Sequence, residues 1–400
     1  MDRHLEISRR AQTMPASPIR RLVPFADSAK ARGIKVYHLN IGQPDIETPE
    51  AMMAAYRHTD IKVLSYGPSD GLKSYREALA GYYRRVGINI APQDLLITTG
   101  GSEAILFALK AVADVGDEVV VVEPFYTNYA GFAVMACVKL VPVTSQADNG
   151  FRLPSRADFE RVITGRTRAI IYSNPGNPTG VVYNADELER LRRLALEFNL
   201  FLVADEVYRE FCYDDAVPLS VLNLAGLDDR AVLVDSVSKR YSACGARVGC
   251  VASRNREFMH AMLRFGQARL CPPTIDQLAA EAALSVPDSY FQRMRDEYRC
   301  RRDVVCEALT RMPGVLCHKP GGAFYVVARL PVRDAEEFAI FMLDRFNLDG
   351  ETVMVAPADG FYATPGKGKD EVRIAYVLNC ADLQRAMQIL AAGLEEFRRQ

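Results

Sequence analysis

The chain is 400 residues long, 49% hydrophobic and 25% charged, and its 49 Lys and Arg offset 50 Asp and Glu to a net charge of -1. That is the balance of an ordinary globular protein with room for one large domain and a smaller one, and it excludes a basic surface built for nucleic acid or an anionic membrane. No apolar run approaches the roughly 20 residues of a membrane span, and the opening residues Met1-Asp2-Arg3-His4-Leu5-Glu6 carry no apolar signal core.

Nine cysteines lie scattered without a CxxC pair, so free thiols in a reducing cytoplasm are expected. Five histidines (His4, His38, His58, His260, His318) form no ligand-spaced cluster, and no metal site is expected.

In chain order, a helix is predicted from Ile19 to Arg32, stopping at Gly33. A short strand, Lys35 to Ile41, runs into Gly42-Gln43-Pro44-Asp45. Gly42 lets the backbone approach a ligand, or simply makes the turn before a helix start at Thr48-Pro49-Glu50. Tyr66 lies in the turn-rich loop Leu64 to Gly71, where surface packing alone would explain it; an amphipathic helix follows from Leu72 to Val86.

Between about 94 and 255, short apolar strands alternate with helices. The strands are Leu95 to Thr98, Glu118 to Val122, Lys139 to Val143, Ala169 to Tyr172, Phe201 to Ala204, Ala231 to Val234 and Val248 to Ala252. The helices are Ser102 to Val115, Asn128 to Cys137, Asp186 to Phe198 and a stretch around Phe258 to Phe265. This alternation predicts an α/β sheet, mostly parallel and buried on both faces. Its ligands are expected at the carboxyl ends of the strands.

Chemistry-bearing residues recur at those ends. Thr99-Gly100-Gly101-Ser102 closes a strand and opens a helix: either an anion site on free helix N–H groups, or a plain helix start capped by Ser102. Tyr126, after Glu123-Pro124-Phe125, either stacks on a flat ring or belongs to the core. Asn174-Pro175-Gly176-Asn177-Pro178-Thr179-Gly180 is the most specific string; its rigid turn holds Asn177 as a fixed hydrogen-bond donor. Asp205, in Ala204-Asp205-Glu206-Val207-Tyr208, either pairs with a protonated ring nitrogen or caps a helix, and Tyr208 faces the same place. Asp235-Ser236-Val237-Ser238-Lys239, with Arg247 eight positions on, sets a lysine between hydroxyls. Such a lysine lies in a polar surface loop, or forms an imine with a carbonyl cofactor while the serines and arginine hold a phosphate.

From about 285 the pattern becomes α+β: helix Asp288 to Met312, strand Phe324 to Leu330, helix Ala335 to Phe346, strands Thr352 to Val355 and Val372 to Val377, and helix Asp382 to Arg398. This part is expected to pack with the N-terminal segment. Arg373 lies on the last of those strands, either in a surface ion pair or as a two-pronged partner for a carboxylate.

The ordered set Gly42, Tyr66, Gly100-Gly101-Ser102, Tyr126, Asn177-Pro178-Thr179-Gly180, Asp205-x-x-Tyr208, Ser236-x-Ser238-Lys239, Arg247 and Arg373 resembles the class I/II aminotransferases of pyridoxal-phosphate fold type I. The likeness runs along essentially the whole chain and is nearest to bacterial aspartate and broad-specificity enzymes with an LxxGxPD-like start. It implies a large domain with a mostly parallel seven-stranded sheet (residues 46–284) and a small α+β domain built from both chain ends (1–45 and 285–400). It also implies a cytoplasmic homodimer that moves an amino group between an L-amino acid and a 2-oxo acid by a ping-pong route, with aspartate and 2-oxoglutarate as the candidate pair.

Carried over, Lys239 holds pyridoxal 5'-phosphate as an imine and then serves as general base, and Asp205 keeps the ring nitrogen protonated. Asn177 and Tyr208 bond the ring oxygen, and Tyr126 stacks on the ring. Gly101, Ser102, Ser236, Ser238 and Arg247 hold the phosphate, and Tyr66 reaches the phosphate of the neighbouring subunit. Arg373 and the Gly42 N–H take the substrate α-carboxylate, beside Asn177.

Two departures stand out. Ala246 replaces the bulky aromatic that many relatives carry before the phosphate-binding arginine, and Arg240-Tyr241-Ser242-Ala243-Cys244 is an unusual loop. No second arginine can be placed by motif against a side-chain carboxylate. The same residues would also serve a carbon–sulfur β-lyase or another elimination enzyme, and a non-catalytic sensor of the same fold is a further alternative. A nicotinamide-type Rossmann enzyme is excluded, because no GxGxxG follows the first strand.

Overall fold

Strand-forming runs and their order place the site. In the computed structural model, which describes residues 5–399, the strands are β1 (Lys35–His38), β2 (Leu95–Thr98), β3 (Glu118–Glu123), β4 (Lys139–Thr144), β5 (Thr167–Ser173), β6 (Phe201–Asp205), β7 (Ala231–Ser236) and β8 (Gly249–Ala252), then β9 (Leu316–Cys317), β10 (Tyr325–Arg329), β11 (Glu351–Met354), β12 (Ala356–Pro357) and β13 (Glu371–Ala375). The charged start through His4, read above for a signal segment, lies outside the described residues.

Seven strands form one sheet in the order β2-β8-β7-β6-β5-β3-β4. It is parallel except at β8, which runs against both β2 and β7. Its two faces follow from the two-residue period of a strand. Val119, Val121, Ala169, Ile171, Val203, Val232 and Val234 pack with Ala104, Ala108 and Leu109 of helix Gly100–Val112 and with Met262 of helix Arg256–Arg269. Val120, Val122, Ile170, Leu202, Ala204 and Leu233 pack the other way, with Leu79 and Tyr83 of helix Lys73–Arg85 and Leu188, Leu191 and Leu194 of helix Ala185–Glu197. Both faces are covered, so the strands read as unbroken apolar runs.

The remaining strands form two smaller sheets. The first is antiparallel, in the order β12-β13-β10-β9. In the second, β1 lies parallel to β11, with Lys35 opposite Glu351. Leu39 continues the connection: its N–H donates to the Met354 carbonyl and its own carbonyl accepts from the Ala375 N–H. The segment that follows, Asn40-Ile41-Gly42, is thereby laid against the end of β13.

Several expected boundaries move. The helix predicted from Ile19 begins at Val23, with Pro24 in its first turn, and the predicted strand to Ile41 stops at His38. The stretch around Phe258 extends to Arg256–Arg269, because the Asn255 side chain caps it by accepting from the Phe258 N–H. Helices Arg9–Thr13 and Thr274–Ala283 are not anticipated; the second starts directly after Pro272-Pro273. No described helix is long and apolar enough to cross a membrane.

Candidate active site

A cavity of about 540 Å³ opens at the carboxyl ends of β5, β6 and β7, and it draws its walls from nine separate stretches of chain. Gly42, Gly101, Ser102, Tyr126, Asn177, Asp205, Tyr208, Ser236, Ser238, Lys239, Arg247 and Arg373 all line it. Of the residues given a site role from the sequence, Tyr66 alone does not, and it is 81% exposed.

The lysine sits just past β7. Ser236 ends that strand, and its side chain accepts from the Ser238 N–H to cap the short helix Val237–Arg240. Lys239 is half-buried, and its Nζ donates to the Gly42 carbonyl at 2.8 Å. The surface-loop alternative is therefore discarded. A buried ion pair brackets the turn: Arg240 pairs with Asp235, whose Oδ2 also accepts from the Tyr83 hydroxyl at 2.8 Å, and the Arg240 guanidinium stacks 4.2 Å from the centre of the Tyr82 ring.

Small polar groups gather around the first turn of helix Gly100–Val112. Ser236 Oγ donates to the Val248 carbonyl at 2.9 Å and lies 2.8 Å from Ser238 Oγ. Arg247 has a left-handed backbone (φ 55°), and its Nη1 donates to the Cys244 carbonyl at 3.0 Å. Its guanidinium lies so close to Gly100 that a Cβ there would sit 2.3 Å from Nη2, so a glycine is required for the approach. The expectation that Ser102 caps this helix is corrected. The helix begins at Gly100, Ser102 is its third residue, and Thr99 at the cap position makes no side-chain cap bond. Ser102 lines the cavity instead. The cluster offers hydroxyls, free helix N–H groups and a guanidinium, a donor set suited to a phosphate.

Asp205 ends β6 and is buried. Its Oδ2 accepts from the Tyr129 hydroxyl at 2.8 Å, with a long contact to the Val207 N–H at 3.4 Å. Burial pushes this carboxyl up to about 6, against the pull of those two donors. It forms no ion pair among the described residues, so a cationic group entering the cavity would find an uncompensated anion. The helix-cap alternative gives way, since no helix follows: residues 207–210 form a turn.

Arg373 is the other buried charge. It is 2% exposed, donates from Nη1 to Asn177 Oδ1 at 3.2 Å and from Nη2 to the Asn40 carbonyl, and leaves Nε without a partner. The rings of Tyr325 and Phe361 flank it at 4.6 and 4.9 Å. It has no carboxylate partner among the described residues, which removes the surface ion-pair alternative, and burial lowers its affinity for its proton. Gly42 is required by space here, because a Cβ would fall 1.7 Å from the Tyr325 hydroxyl. Tyr126 also borders the cavity and accepts a bond from Asn128 Nδ2 at 2.9 Å.

Sequence reasoning missed four contributors. Tyr325 lines the cavity and pairs hydroxyl to hydroxyl with Tyr208 at 2.8 Å. Tyr129 holds Asp205. Cys244 lies 3.7 Å from Lys239 Nζ. Arg20, exposed and without an ion pair among the described residues, lines the rim with Ser17 and Ile19. Tyr129 left a trace in the sequence, as a tyrosine one helical turn beyond Tyr126, and Cys244 ends the loop noted above as unusual.

These residues together fit a flat, phosphate-bearing carbonyl compound with a basic ring nitrogen. The phosphate donors, the lysine and the lone buried carboxylate border one cavity, and the unpaired arginine shares its wall.

Comparison with known proteins agrees over the same span. The family model for aminotransferase class I and II matches residues 34–390. An aspartate aminotransferase of Pyrococcus abyssi is 33% identical, covering 98% of this chain and 99% of its own. An aromatic-amino-acid aminotransferase of Thermococcus litoralis is 32% identical over 98% and 99%. Among solved structures, an aspartate aminotransferase from Thermus thermophilus with maleate superposes at a TM-score of 0.87 with 30% identity, covering 98% of this chain and all of the other.

Proposed function

The chain belongs to the class I and II aminotransferase family and is an aminotransferase, and from that premise we propose that it takes aspartate as donor and 2-oxoglutarate as acceptor, in a ping-pong cycle, with pyridoxal 5'-phosphate held around Lys239. The observation that carries this reading is the pairing of Lys239 with Arg373 across one cavity, the second buried and short of a carboxylate. Every amino and 2-oxo acid supplies that carboxylate. Because the relatives are aminotransferases, this activity stands over the elimination enzyme and the non-catalytic sensor.

When bound, the cofactor supplies an electron sink for the pair of electrons left at the substrate Cα. The protein does the rest. Asp205 holds a positive charge at the ring nitrogen, and Tyr208 and Asn177 bond the ring oxygen. Tyr126 stacks on the ring. Ser102, Ser236, Ser238, Arg247 and the Gly101 N–H grip the phosphate. Arg373, with the Gly42 N–H and Asn177, fixes the α-carboxylate and so points the Cα–H bond. Lys239 would hold the cofactor through its amine, and that amine, when free, would take the Cα proton and give it back as base and then acid. Its bond to the Gly42 carbonyl keeps the amine beside the substrate loop.

Charge accounting supports the acidic donor. The cavity holds four cationic side chains and one anionic one. The roles above use Lys239, Arg247 and Arg373. Arg20 is left at the rim, a ready partner for a second carboxylate.

Tyr66 and its exposed apolar neighbours Ile61, Val63 and Leu64 support a homodimer in which Tyr66 reaches the other subunit's phosphate. The same reading divides the chain into a cofactor-binding unit, 46–284, and a small unit from 1–45 and 285–400, and puts the enzyme in the cytoplasm.

The test is a half-reaction screen. Mixing the loaded enzyme with single amino acids and following the cofactor absorbance should give the largest change with aspartate and glutamate. Release of ammonia and pyruvate without any 2-oxo acid acceptor would overturn the transfer reading.

A further inference from the structure

Away from the cavity, the sulfurs of Cys300 and Cys380 lie 3.1 Å apart. Cys300 is exposed on helix Asp288–Thr310, and Cys380 is the first residue of helix Cys380–Phe397. Neither lines the active-site cavity. The approach of about 1 Å that separates this contact from a disulfide bond of roughly 2.0 Å is within side-chain rotation. The backbone on both sides is already anchored. Arg301, next to Cys300, donates to the Val377 carbonyl at 2.7 Å and pairs with Asp45 at 2.5 Å. The Asn379 side chain caps the second helix by accepting from the Asp382 N–H.

We propose that Cys300 and Cys380 are a thiol–disulfide site, which a small-molecule disulfide such as oxidised glutathione converts to a reversible covalent latch between the two helices. The exposed Cys300 thiolate attacks one sulfur of the reagent and expels one small thiolate. The Cys380 thiolate then attacks the Cys300 sulfur of the mixed disulfide and expels the second. One disulfide and two protein thiols enter; one protein disulfide and two small thiols leave, so electrons balance without a further oxidant.

The order follows from the surroundings. Burial and the Cys300 contact push the Cys380 thiol up to about 12. Cys300, the exposed thiol of the pair, is the first that a reagent meets, and Cys380 is only partly accessible.

The latch encloses roughly eighty residues, β9 to β13 among them, and so the strand that carries Arg373. Closing so long a loop restricts the unfolded chain more than the folded one. Cys306, on the same long helix, also contacts Cys317 of β9, but Cys306 is buried and out of reach of a reagent.

The experiment incubates the cofactor-loaded enzyme with oxidised glutathione, blocks the remaining thiols and maps non-reduced peptides by mass spectrometry. The expected result is a Cys300–Cys380 linked peptide, two fewer titratable thiols per chain, and a Tm raised by a few degrees and restored by reductant. Cys300→Ser and Cys380→Ser should each abolish the link and the Tm rise, and leave transamination by the reduced enzyme unchanged. Four outcomes overturn the proposal: glutathione left on Cys300 with no bridge, a bridge only between Cys306 and Cys317, a bridge only between chains, or two free thiols after all exposed cysteines have reacted.

Discussion

The hydroxyl of Tyr129 donates to Oδ2 of Asp205 at 2.8 Å, and no cation pairs with that buried carboxylate among the described residues. The carboxyl is raised from 3.8 to about 6, first by burial. The folded protein thus keeps a proton that the unfolded chain releases, and ionisation costs folded stability as pH rises through that window. The cost is on the order of 3 kcal/mol. Without cofactor, Asp205→Asn should be more heat-stable than the wild type at pH 8, and the gap should close near pH 4. Thermal unfolding of the stripped proteins across pH measures this. Equal midpoints at pH 8 would mean that the carboxylate has a cation partner in solution.

Lys239→Ala should keep the cofactor through the phosphate donors and lose its covalent attachment. Borohydride should add the cofactor's mass to the wild type and nothing to the variant. Transamination should fall by several orders of magnitude, since link and base vanish together. Wild-type turnover in the variant would end the assignment.

Arg373 and Arg20 should separate by substrate. Arg373→Lys keeps the charge and loses the two-pronged geometry, so kcat/KM should fall at least roughly ten- to a hundredfold for every donor, with cofactor affinity unchanged. Arg20→Ala should weaken only acidic substrates. Assays with aspartate and an apolar amino acid decide it: a loss with both donors in Arg20→Ala removes that arginine from the side-chain role.

The buried pair Asp235–Arg240 should matter for folding. Asp235→Ala strands a guanidinium of 2% exposure and frees the Tyr83 hydroxyl, a loss of about 3–5 kcal/mol. Adding Arg240→Met should recover part of it, because the stranded charge is gone. Urea unfolding of both proteins measures the recovery, and a double variant no better than the single one would contradict this account.

If Tyr66 completes the neighbour's phosphate site, Tyr66→Phe should weaken cofactor affinity about tenfold or more. Mixing Tyr66→Phe with the inactive Lys239→Ala should then raise activity, since a hybrid dimer contains one site with both groups intact. No gain after subunit exchange is shown by sedimentation would place Tyr66 in its own chain's chemistry.

Much of this site could be read before folding, for a physical reason. Asp205, Ser236 and Lys239 stand at or just past the ends of apolar strands, and strand runs are visible in one dimension. Asn177 is flagged by the prolines and glycines that rigidify its turn. Tyr325 and Arg20 carried no such local mark: each reaches the cavity because a distant segment folds over it. The same holds for Arg240, which follows Lys239 in the chain and looks like a surface charge until Asp235 and Tyr82 enclose it. Helix boundaries shifted at Asn255, where a side-chain cap sets the start, and at Gly100, where the helix starts without one.

The parallel pairing of β1 with β11 joins residues roughly three hundred positions apart. During synthesis the first strand must wait, unpaired, until nearly the whole chain has left the ribosome. The large sheet, complete by Ala252, meets no such delay. Asn40 and Gly42 reach Arg373 only through that late pairing. On the proposed assignment, the growing polypeptide gains the lysine and the phosphate donors well before it gains a place for a substrate carboxylate, and closing so long a loop is a slow step. A nascent chain stalled after residue 300 should retain the cofactor-binding half of the site and lack the half that selects what reacts.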